Sequence, residues 1–231
     1  MSAPEISICA PAYDEEECIE EVILSWLAVL DGAGLDGEIV VADDGSEDQT
    51  RAIIERLGKA DPRVRVVGTA DNGGYGRALR RAIGSARGEL VVTIDSDGQF
   101  DPDDIPRLVA HQREGGFDLV TGFRRRKRDT PLRVAADRGL RVLVRALFGV
   151  RVRDPNCALK AMKRSWAQAA HLTAEGYPTP TEMVIRAHHD GLRIGEIGVS
   201  HLDRAGGRTK LRLVRTAVDA GQFLIGLRLR L

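Results

Sequence analysis

The fold of this chain is decided by residues 90–99, LVVTIDSDGQ. The first five of them are apolar or β-branched, as in a strand that is buried on both faces of a parallel sheet. Asp95 and Asp97 follow where that strand is expected to end. Because ligands of parallel α/β sheets bind beyond the carboxyl ends of the strands, this stretch predicts a ligand site beside a buried strand.

The segments on either side repeat the same plan. Strands are predicted for residues 6–10, 38–42, 64–68, 90–94 and 117–121, and helices between them for residues 15–30, 48–57, 75–87 and 102–114. Repeated strand–helix units predict an α/β, Rossmann-like domain with a mostly parallel sheet. Further strands are expected near residues 157–162 and 192–199, and further helices over residues 134–148, 181–190 and 211–231. The first and last of these helices carry apolar stripes and arginines, which predicts C-terminal amphipathic helices.

The size and composition of the chain limit its class. A length of 231 residues suits one domain, residues 1–231. Apolar residues at 43% and charged residues at 29% are typical of a globular protein and exclude a disordered one. Aromatic residues at 4% weigh against a nucleic-acid binder that stacks bases. No apolar run approaches the roughly 18 residues of a membrane span, and the first twenty residues are acidic where a secretory signal is basic and apolar. We therefore expect a cytoplasmic protein.

The charges are divided unevenly between the two halves of the chain. Residues 1–121 contain 11 Lys and Arg against 25 Asp and Glu, and residues 122–231 contain 23 against 9. Such asymmetry favours two surfaces with different tasks, such as metal chelation and anion binding. Two solvated faces whose charges cancel are the alternative.

Acidic and polar side chains follow each of the first four predicted strands. The motifs are PAYDE at residues 11–15, DDGS at 43–46, DNGGYG at 71–76 and DSDGQ at 95–99. Like charges held together at one sheet edge favour a bound cation. Asp95, Asp97 and Gln99 can offer oxygen ligands to Mg²⁺ or Mn²⁺ across a diphosphate, although a simple Asx-turn also explains many D-x-D sequences. Asp101, Asp103 and Asp104 are expected to cap the next helix.

Two glycine-containing segments are candidates for binding. Residues 72–76, NGGYG, do not follow the first strand and therefore fail the dinucleotide-binding pattern. They predict a tight turn whose backbone a nucleotide, a sugar or another loop can approach. Residues 204–210, RAGGRTK, combine three cations with two glycines, which predicts a loop that closes over phosphates. An ordinary solvated loop is the alternative there.

Taken in order, these motifs resemble the inverting glycosyltransferases of family 2 with the GT-A fold, and among them the polyprenyl-phosphate sugar transferases of the dolichyl-phosphate mannose synthase type. The resemblance covers about residues 5–225. Besides the four motifs above, it includes GFR at residues 122–124, Asp154 with Cys157 and Ala158, and R-x-x-G-x-T-K at residues 204–210. The chain departs from the family pattern at Asp14 for Asn, at Cys157-Ala158 for Ser-Gly, and at Thr209 for Ser.

The resemblance implies a role for particular residues. It places the nucleoside pocket at Pro11, Tyr13, Glu15, Val41 and Asp43, the metal ligands at Asp95, Asp97 and Gln99, and a backbone contact at Ser96. It makes Arg124, Arg204 and Lys210 the phosphate-binding cations, and it implies a catalytic set of Asp97, Arg124 and Lys210. Residues 5–121 then form the half that binds the nucleotide sugar, and residues 122–231 form the half that binds the acceptor.

The expected function is transfer of a hexose, with mannose from GDP-mannose as the first choice, to a polyprenyl phosphate at the cytoplasmic face of the membrane. The basic amphipathic helices suggest peripheral contact with anionic lipid; the alternative is that both apolar stripes pack on the sheet. No nucleic-acid partner is expected. Two alternatives stay open. One is the same donor chemistry with UDP-glucose or another nucleotide sugar and a soluble acceptor, and the other is a non-catalytic module that binds nucleotide sugars or membranes.

Overall fold

A computed structural model describes residues 3–125, 131–202 and 213–231 of the chain. Its strands are β1 (Ile6–Ala12), β2 (Gly37–Asp43), β3 (Val64–Gly68), β4 (Leu90–Thr93), β5 (Leu119–Arg124), β6 (Lys160–Lys163) and β7 (Ile194–Val199). Its helices are α1 (Ile19–Gly32), α2 (Thr50–Ala60), α3 (Tyr75–Ser85), α4 (Asp104–Gly115), α5 (Pro131–Phe148), α6 (Arg164–Ala169), α7 (Thr179–His189) and α8 (Leu213–Arg230).

The seven strands form one sheet in the order β3-β2-β1-β4-β6-β5-β7. Only β6 runs against its neighbours β4 and β5, and the other paired strands are parallel. The register sets Ala12 of β1 beside Asp43 of β2, and Asp43 beside Gly68 of β3. The carboxyl ends of the first strands therefore meet at one edge, as the α/β prediction requires.

Helices cover both faces of the sheet because the strand side chains alternate between two clusters. Ile8 packs in the cluster that contains residues of α1, α2 and α4, and its neighbour Cys9 packs in the cluster with α3, α6 and α7. A third cluster joins α5, α7 and α8 around Val144, Ile185 and Leu224. All residues of β1, β2 and β4 are buried, so these three adjacent strands lie inside the core.

Several local predictions were wrong in detail. The short helix α6 was not predicted, and α1 begins at Ile19 rather than near residue 15. Helix α3 ends at Ser85 rather than at residue 87, and a Cβ at Gly88 would overlap the Ile6 backbone. Asp103 stands at the N-cap of α4 without a capping side-chain bond, and Asp101 instead accepts from the Asp103 amide at 3.1 Å.

The three cysteines Cys9, Cys18 and Cys157 are buried thiols that form no disulfide with one another. Burial is the main cause that raises the pKa of Cys157 to about 11. Among the residues described above, no helix is long and apolar enough to cross a membrane.

Candidate active site

A cavity of about 760 Å³ lies at the carboxyl ends of the strands. The predicted site residues that line it are Pro11, Tyr13, Glu15, Asp95, Ser96, Asp97, Gln99 and Arg124. Two predicted residues lie outside this lining: the Val41 side chain is fully buried in the core, and Asp43 is discussed below. The remaining two, Arg204 and Lys210, fall outside the described residues.

The D-x-D loop is held by contacts to three parts of the chain. Ser96 Oγ donates to the Pro11 carbonyl oxygen at 2.7 Å, which ties the end of β4 to the end of β1. The Gln99 amide donates to Asp97 Oδ1 at 3.1 Å, and the Gln99 carbonyl oxygen accepts from the Leu202 amide at 2.8 Å. The Tyr75 hydroxyl donates to Asp95 Oδ1 at 2.8 Å. The positions of both carboxylates are thus fixed before any ligand arrives.

The donor set of this loop fits a hard divalent cation. Two carboxylates and one amide face a shared cavity, and oxygen ligands are those that Mg²⁺ and Mn²⁺ prefer. Within the described parts of the chain, no group of three or more His, Cys, Asp or Glu side chains could hold a metal ion. A set of two carboxylates and one amide suits a cation that also takes ligands from water and from a substrate phosphate.

The loop after β1 explains one departure from the family pattern. Asp14 has a φ of 47°, in the left-handed region where Asn and Asp are the best tolerated side chains after glycine. Its carboxylate accepts from the Glu47 amide at 2.9 Å, and its own amide donates to Ser46 Oγ at 3.0 Å. The Asp14 carboxylate is also the main cause that raises the pKa of Tyr13. An aspartate at this position can therefore adopt the same left-handed backbone conformation as an asparagine.

The two aspartates after β2 have different surroundings. Asp43 is buried, accepts from the Ser46 amide at 3.3 Å and pairs with Arg51 at 3.5 Å. Asp44 does line the cavity, and its two oxygens accept from the amides of Gly73 and Gly74 at 2.9 and 2.7 Å. Asp44 was not among the predicted site residues, although its place in the DDGS motif was a signal for it.

The glycine turn before α3 packs against another segment of the chain and also lines the cavity. Gly74 has a φ of 86°, which an L side chain rarely adopts. A Cβ at Gly76 would overlap the Ala174 carbonyl oxygen and the Thr179 hydroxyl. Asn72 and Gly74 line the cavity, so the turn has both a packing partner in the chain and a surface that faces the candidate site.

Arg124 lies at the end of β5 between two carboxylates. It makes a bidentate contact with Asp154, with nitrogen–oxygen distances of 2.8 and 3.1 Å, and a second pair with Asp137 of α5 at 3.5 Å. Its side chain is 12% exposed. Bidentate pairing fixes the orientation of a guanidinium, so the positive charge of Arg124 is held in place at the cavity. The two carboxylates beside it partly neutralise that charge.

Sequence reasoning missed several groups that line the cavity. Tyr75 stacks on Tyr177 with ring centroids 5.6 Å apart, and burial is the main cause that raises the pKa of Tyr75 well above its usual value. His201 meets the Phe100 ring edge-on at 5.8 Å. One wall of the cavity is apolar and comes from two helices, with Ala136, Gly139, Leu140 and Leu143 of α5 and Ala220, Gly221 and Leu224 of α8. The spacing of the α5 residues at i, i+3, i+4 and i+7 was the signal for that wall.

The mostly parallel sheet and the acidic cavity at its strand ends define the class as a GT-A glycosyltransferase fold. The chain belongs to glycosyl transferase family 2, which matches residues 7–168. This confirms the resemblance that the motifs indicated.

Two named glycosyltransferases are similar to most of this chain. Undecaprenyl-phosphate 4-deoxy-4-formamido-L-arabinose transferase of Shewanella sediminis is 35% identical, over 89% of this chain and 61% of that protein. Glycosyltransferase AglD of Haloferax volcanii is 34% identical, over 96% of this chain and 36% of its own length. The chain thus spans less than two thirds of these two relatives.

A solved structure with the same fold carries ligands. Glucosyl-3-phosphoglycerate synthase from Mycobacterium tuberculosis, in complex with Mn²⁺, UDP-glucose and phosphoglyceric acid, superposes with a TM-score of 0.74 and 27% identity. The match covers 97% of this chain and 80% of that one.

Proposed function

We propose that this chain transfers a glycosyl group from a nucleoside diphosphate sugar to a polyprenyl phosphate, with Mg²⁺ or Mn²⁺ as cofactor. The observation that carries the proposal is a single cavity with two kinds of wall. The D-x-D carboxylates form one wall, and small and apolar residues of α5 and α8 form another. A diphosphate with its cation suits the first wall, and an isoprenoid chain suits the second because it buries apolar surface there.

The relatives support the same substrate classes. The name of the Shewanella protein contains an undecaprenyl phosphate, and the solved mycobacterial synthase holds a nucleotide sugar with Mn²⁺. Because the first relative is named for an arabinose derivative and the second holds UDP-glucose, the base and the sugar of the donor are open to test. GDP-mannose is our prediction for that test.

We assign the metal to Asp95, Asp97 and Gln99, whose oxygens fit it as described above. When bound, a divalent cation supplies neutralising charge for the diphosphate as it leaves. The chain's own residues hold the donor in place: Ser96 fixes the loop through Pro11, and the Asp97 carboxylate is oriented by the Gln99 amide. We assign donor binding to residues 5–121, including Val41 and Asp43, and acceptor binding to residues 122–231.

The acceptor explains why no strong general base is required. A phosphate monoester has a second pKa near 6 and is largely dianionic at pH 7, so it serves as the nucleophile without losing a proton to the protein. The site must then hold two anions close together, which repel by several kcal/mol at about 4 Å and intermediate dielectric. We assign Arg124, Arg204 and Lys210 to offset that repulsion. Attack from the face opposite the leaving diphosphate gives inversion at the sugar.

The test combines ligand binding with turnover. A thermal-shift screen of GDP, UDP and other nucleoside diphosphates with Mn²⁺ identifies the base, and the matching sugars are then assayed with a short polyprenyl phosphate. Wild-type turnover is expected to disappear with chelator and to fall by a factor of at least about 100 in Asp97→Ala, since the charge on the diphosphate is then uncompensated.

Asp103→Ala is the matched control, because this exposed carboxylate belongs to the same stretch and forms no capping bond. It is expected to keep near wild-type turnover. Full activity of Asp97→Ala in chelator contradicts the metal assignment. Transfer to phosphoglycerate or to an unphosphorylated alcohol, with none to polyprenyl phosphate, replaces this proposal with the soluble-acceptor alternative.

A further inference from the structure

Tyr75 stands at the first position of α3 and reaches the D-x-D loop. Its hydroxyl donates to Asp95 Oδ1 at 2.8 Å, and its ring stacks nearly parallel to Tyr177, with an interplanar angle of 19°. The hydrogen bond occupies one oxygen of a carboxylate that we assign to the metal. Tyr75 itself is not among the residues that the motifs predicted.

The backbone on both sides of Tyr75 is fixed. Before it, the Gly74 amide donates to Asp44 Oδ2 at 2.7 Å. After it, the Gly76 amide donates to the Glu175 carbonyl oxygen at 2.8 Å. The phenol is therefore anchored by hydrogen bonds at the two neighbouring residues and by the stacked ring, so its hydroxyl has little freedom to leave Asp95.

The segment that carries Tyr177 is fixed in turn by a buried carboxylate. Glu182 has no exposed surface, and its oxygens accept from the amides of Thr173 and Ala174 at distances of 2.8 to 3.0 Å. Arg186 Nε donates to the same carboxylate at 2.8 Å. Glu182 of α7 thus holds the chain a few residues before Tyr177, whose ring stacks on Tyr75, and Tyr75 in turn reaches Asp95.

We propose that Tyr75 is a positioning residue that orients the Asp95 carboxylate for a divalent cation. The inference rests on the proposed function, since it takes Asp95 as a metal ligand. A hydrogen bond to one oxygen of a ligating carboxylate holds the plane of that carboxylate, and loss of such a bond typically costs 10- to 100-fold in metal affinity or activity. Tyr177 contributes by holding the Tyr75 ring.

The test measures Mn²⁺ affinity directly, by titration of the protein with its nucleoside diphosphate and detection of free Mn²⁺ by electron paramagnetic resonance. Tyr75→Phe keeps the stacked ring and removes only the hydroxyl. We expect about tenfold weaker Mn²⁺ binding, with the unfolding temperature and the metal-free affinity for nucleotide unchanged. Turnover of this variant is expected to recover at saturating Mn²⁺, which a general loss of structure would not allow.

Ser85→Ala is the control, since it removes a hydroxyl from the same helix about 15 Å away along its axis. It is expected to bind Mn²⁺ as the wild type does. If the wild type binds Mn²⁺ and Tyr75→Phe binds it equally well, the role of Tyr75 is overturned while the proposed function stands. If the wild type binds no Mn²⁺, the metal site and this inference are both overturned.

Discussion

At the scale of single residues, Lys160 is an unusual member of the core. It lies on β6 with no exposed surface, and its ammonium donates to Thr121 Oγ1 at 2.7 Å and to the Pro155 carbonyl oxygen at 3.3 Å. Both acceptors are neutral. Burial, which disfavours the charged form, is the main cause that lowers the pKa of Lys160 from 10.5 to about 8.

This lowered pKa predicts a change of stability with pH. Between about pH 8 and pH 10.5 the unfolded chain holds a proton at Lys160 that the folded chain has released, so the free energy of unfolding rises with pH by up to about 1.4 kcal/mol per unit. Below pH 8 Lys160 is protonated in both the folded and the unfolded chain, and the folded chain bears the full cost of burying the charged ammonium. Lys160→Met removes the titrating group. The free energy of unfolding of the wild type should therefore rise relative to that of the variant between about pH 8 and pH 10.5.

Urea unfolding of both proteins at pH 7, 8, 9 and 10 checks this expectation. The other titrating groups are common to the two chains, and those that do not interact with Lys160 cancel in the difference. A difference that stays constant from pH 7 to pH 10 shows that Lys160 is charged throughout and contradicts the prediction.

The residues that could be predicted are those whose role follows from local sequence. Asp95 and Asp97 were found because they follow a run of buried strand residues, and that position alone sets them at the sheet edge. Tyr75 and Asp137 reach Asp95 and Arg124 through contacts across 20 and 13 positions of sequence. Periodicity contains no information on such pairs, since they depend on how helices dock on the sheet.

At the scale of elements, α5 and α8 are only partly covered. Val144 and Leu224 are buried in their shared cluster, whereas Val142 is 64% exposed and Ile225 is 57% exposed. Exposed arginines flank these apolar side chains at positions 138, 141, 145 and 228. Apolar residues beside cations are typical of helices that lie at an anionic membrane surface, so we propose peripheral docking through these two helices.

Flotation with anionic liposomes tests the docking. The wild type is expected to float at low salt and to be released as salt is raised, because screening weakens the attraction of arginines to lipid headgroups. The double variant Val142→Asp with Ile225→Asp should remain at the bottom, since both substitutions place like charge and polar groups at the proposed contact.

Leu24→Asp is the matched control, because Leu24 of α1 is 48% exposed and α1 packs in the first core cluster, which contains no residue of α5 or α8. This variant is expected to float as the wild type does. A wild type that stays unbound at low salt, with and without polyprenyl phosphate, contradicts peripheral docking.

At the scale of the whole molecule, the two halves are joined through close backbone contact. Gly76 of α3 packs against Ala174 and Thr179 so closely that a Cβ would overlap both. The division that the charges suggested at residue 121 falls inside β5, which pairs with β6 and β7. We therefore propose that the chain folds as one unit despite its uneven charge.

Two substitutions on α3 measure how much the contact between Gly76 and residues 174–179 contributes to the stability of the protein. Gly76→Ala is expected to destabilise the whole protein by about 2 kcal/mol or more, because the added methyl group must displace backbone. Gly84→Ala lies on the same helix with nothing within 4 Å of its Cβ, and it should be neutral or stabilise by up to about 1 kcal/mol. Equal unfolding temperatures for the two variants contradict a tight contact between the halves.

The place of β6 beside β4 has a consequence for the order in which the chain is made and folds. β4 pairs with β1 on one side, and on the other side it pairs with β6 at residues 160–163. During synthesis the second edge of β4 thus stays open until those residues have emerged, and open strand edges recruit other chains. Such delayed pairing slows folding. A nascent or truncated chain that stops before β6 is therefore the form of this protein most exposed to aggregation and to chaperone capture.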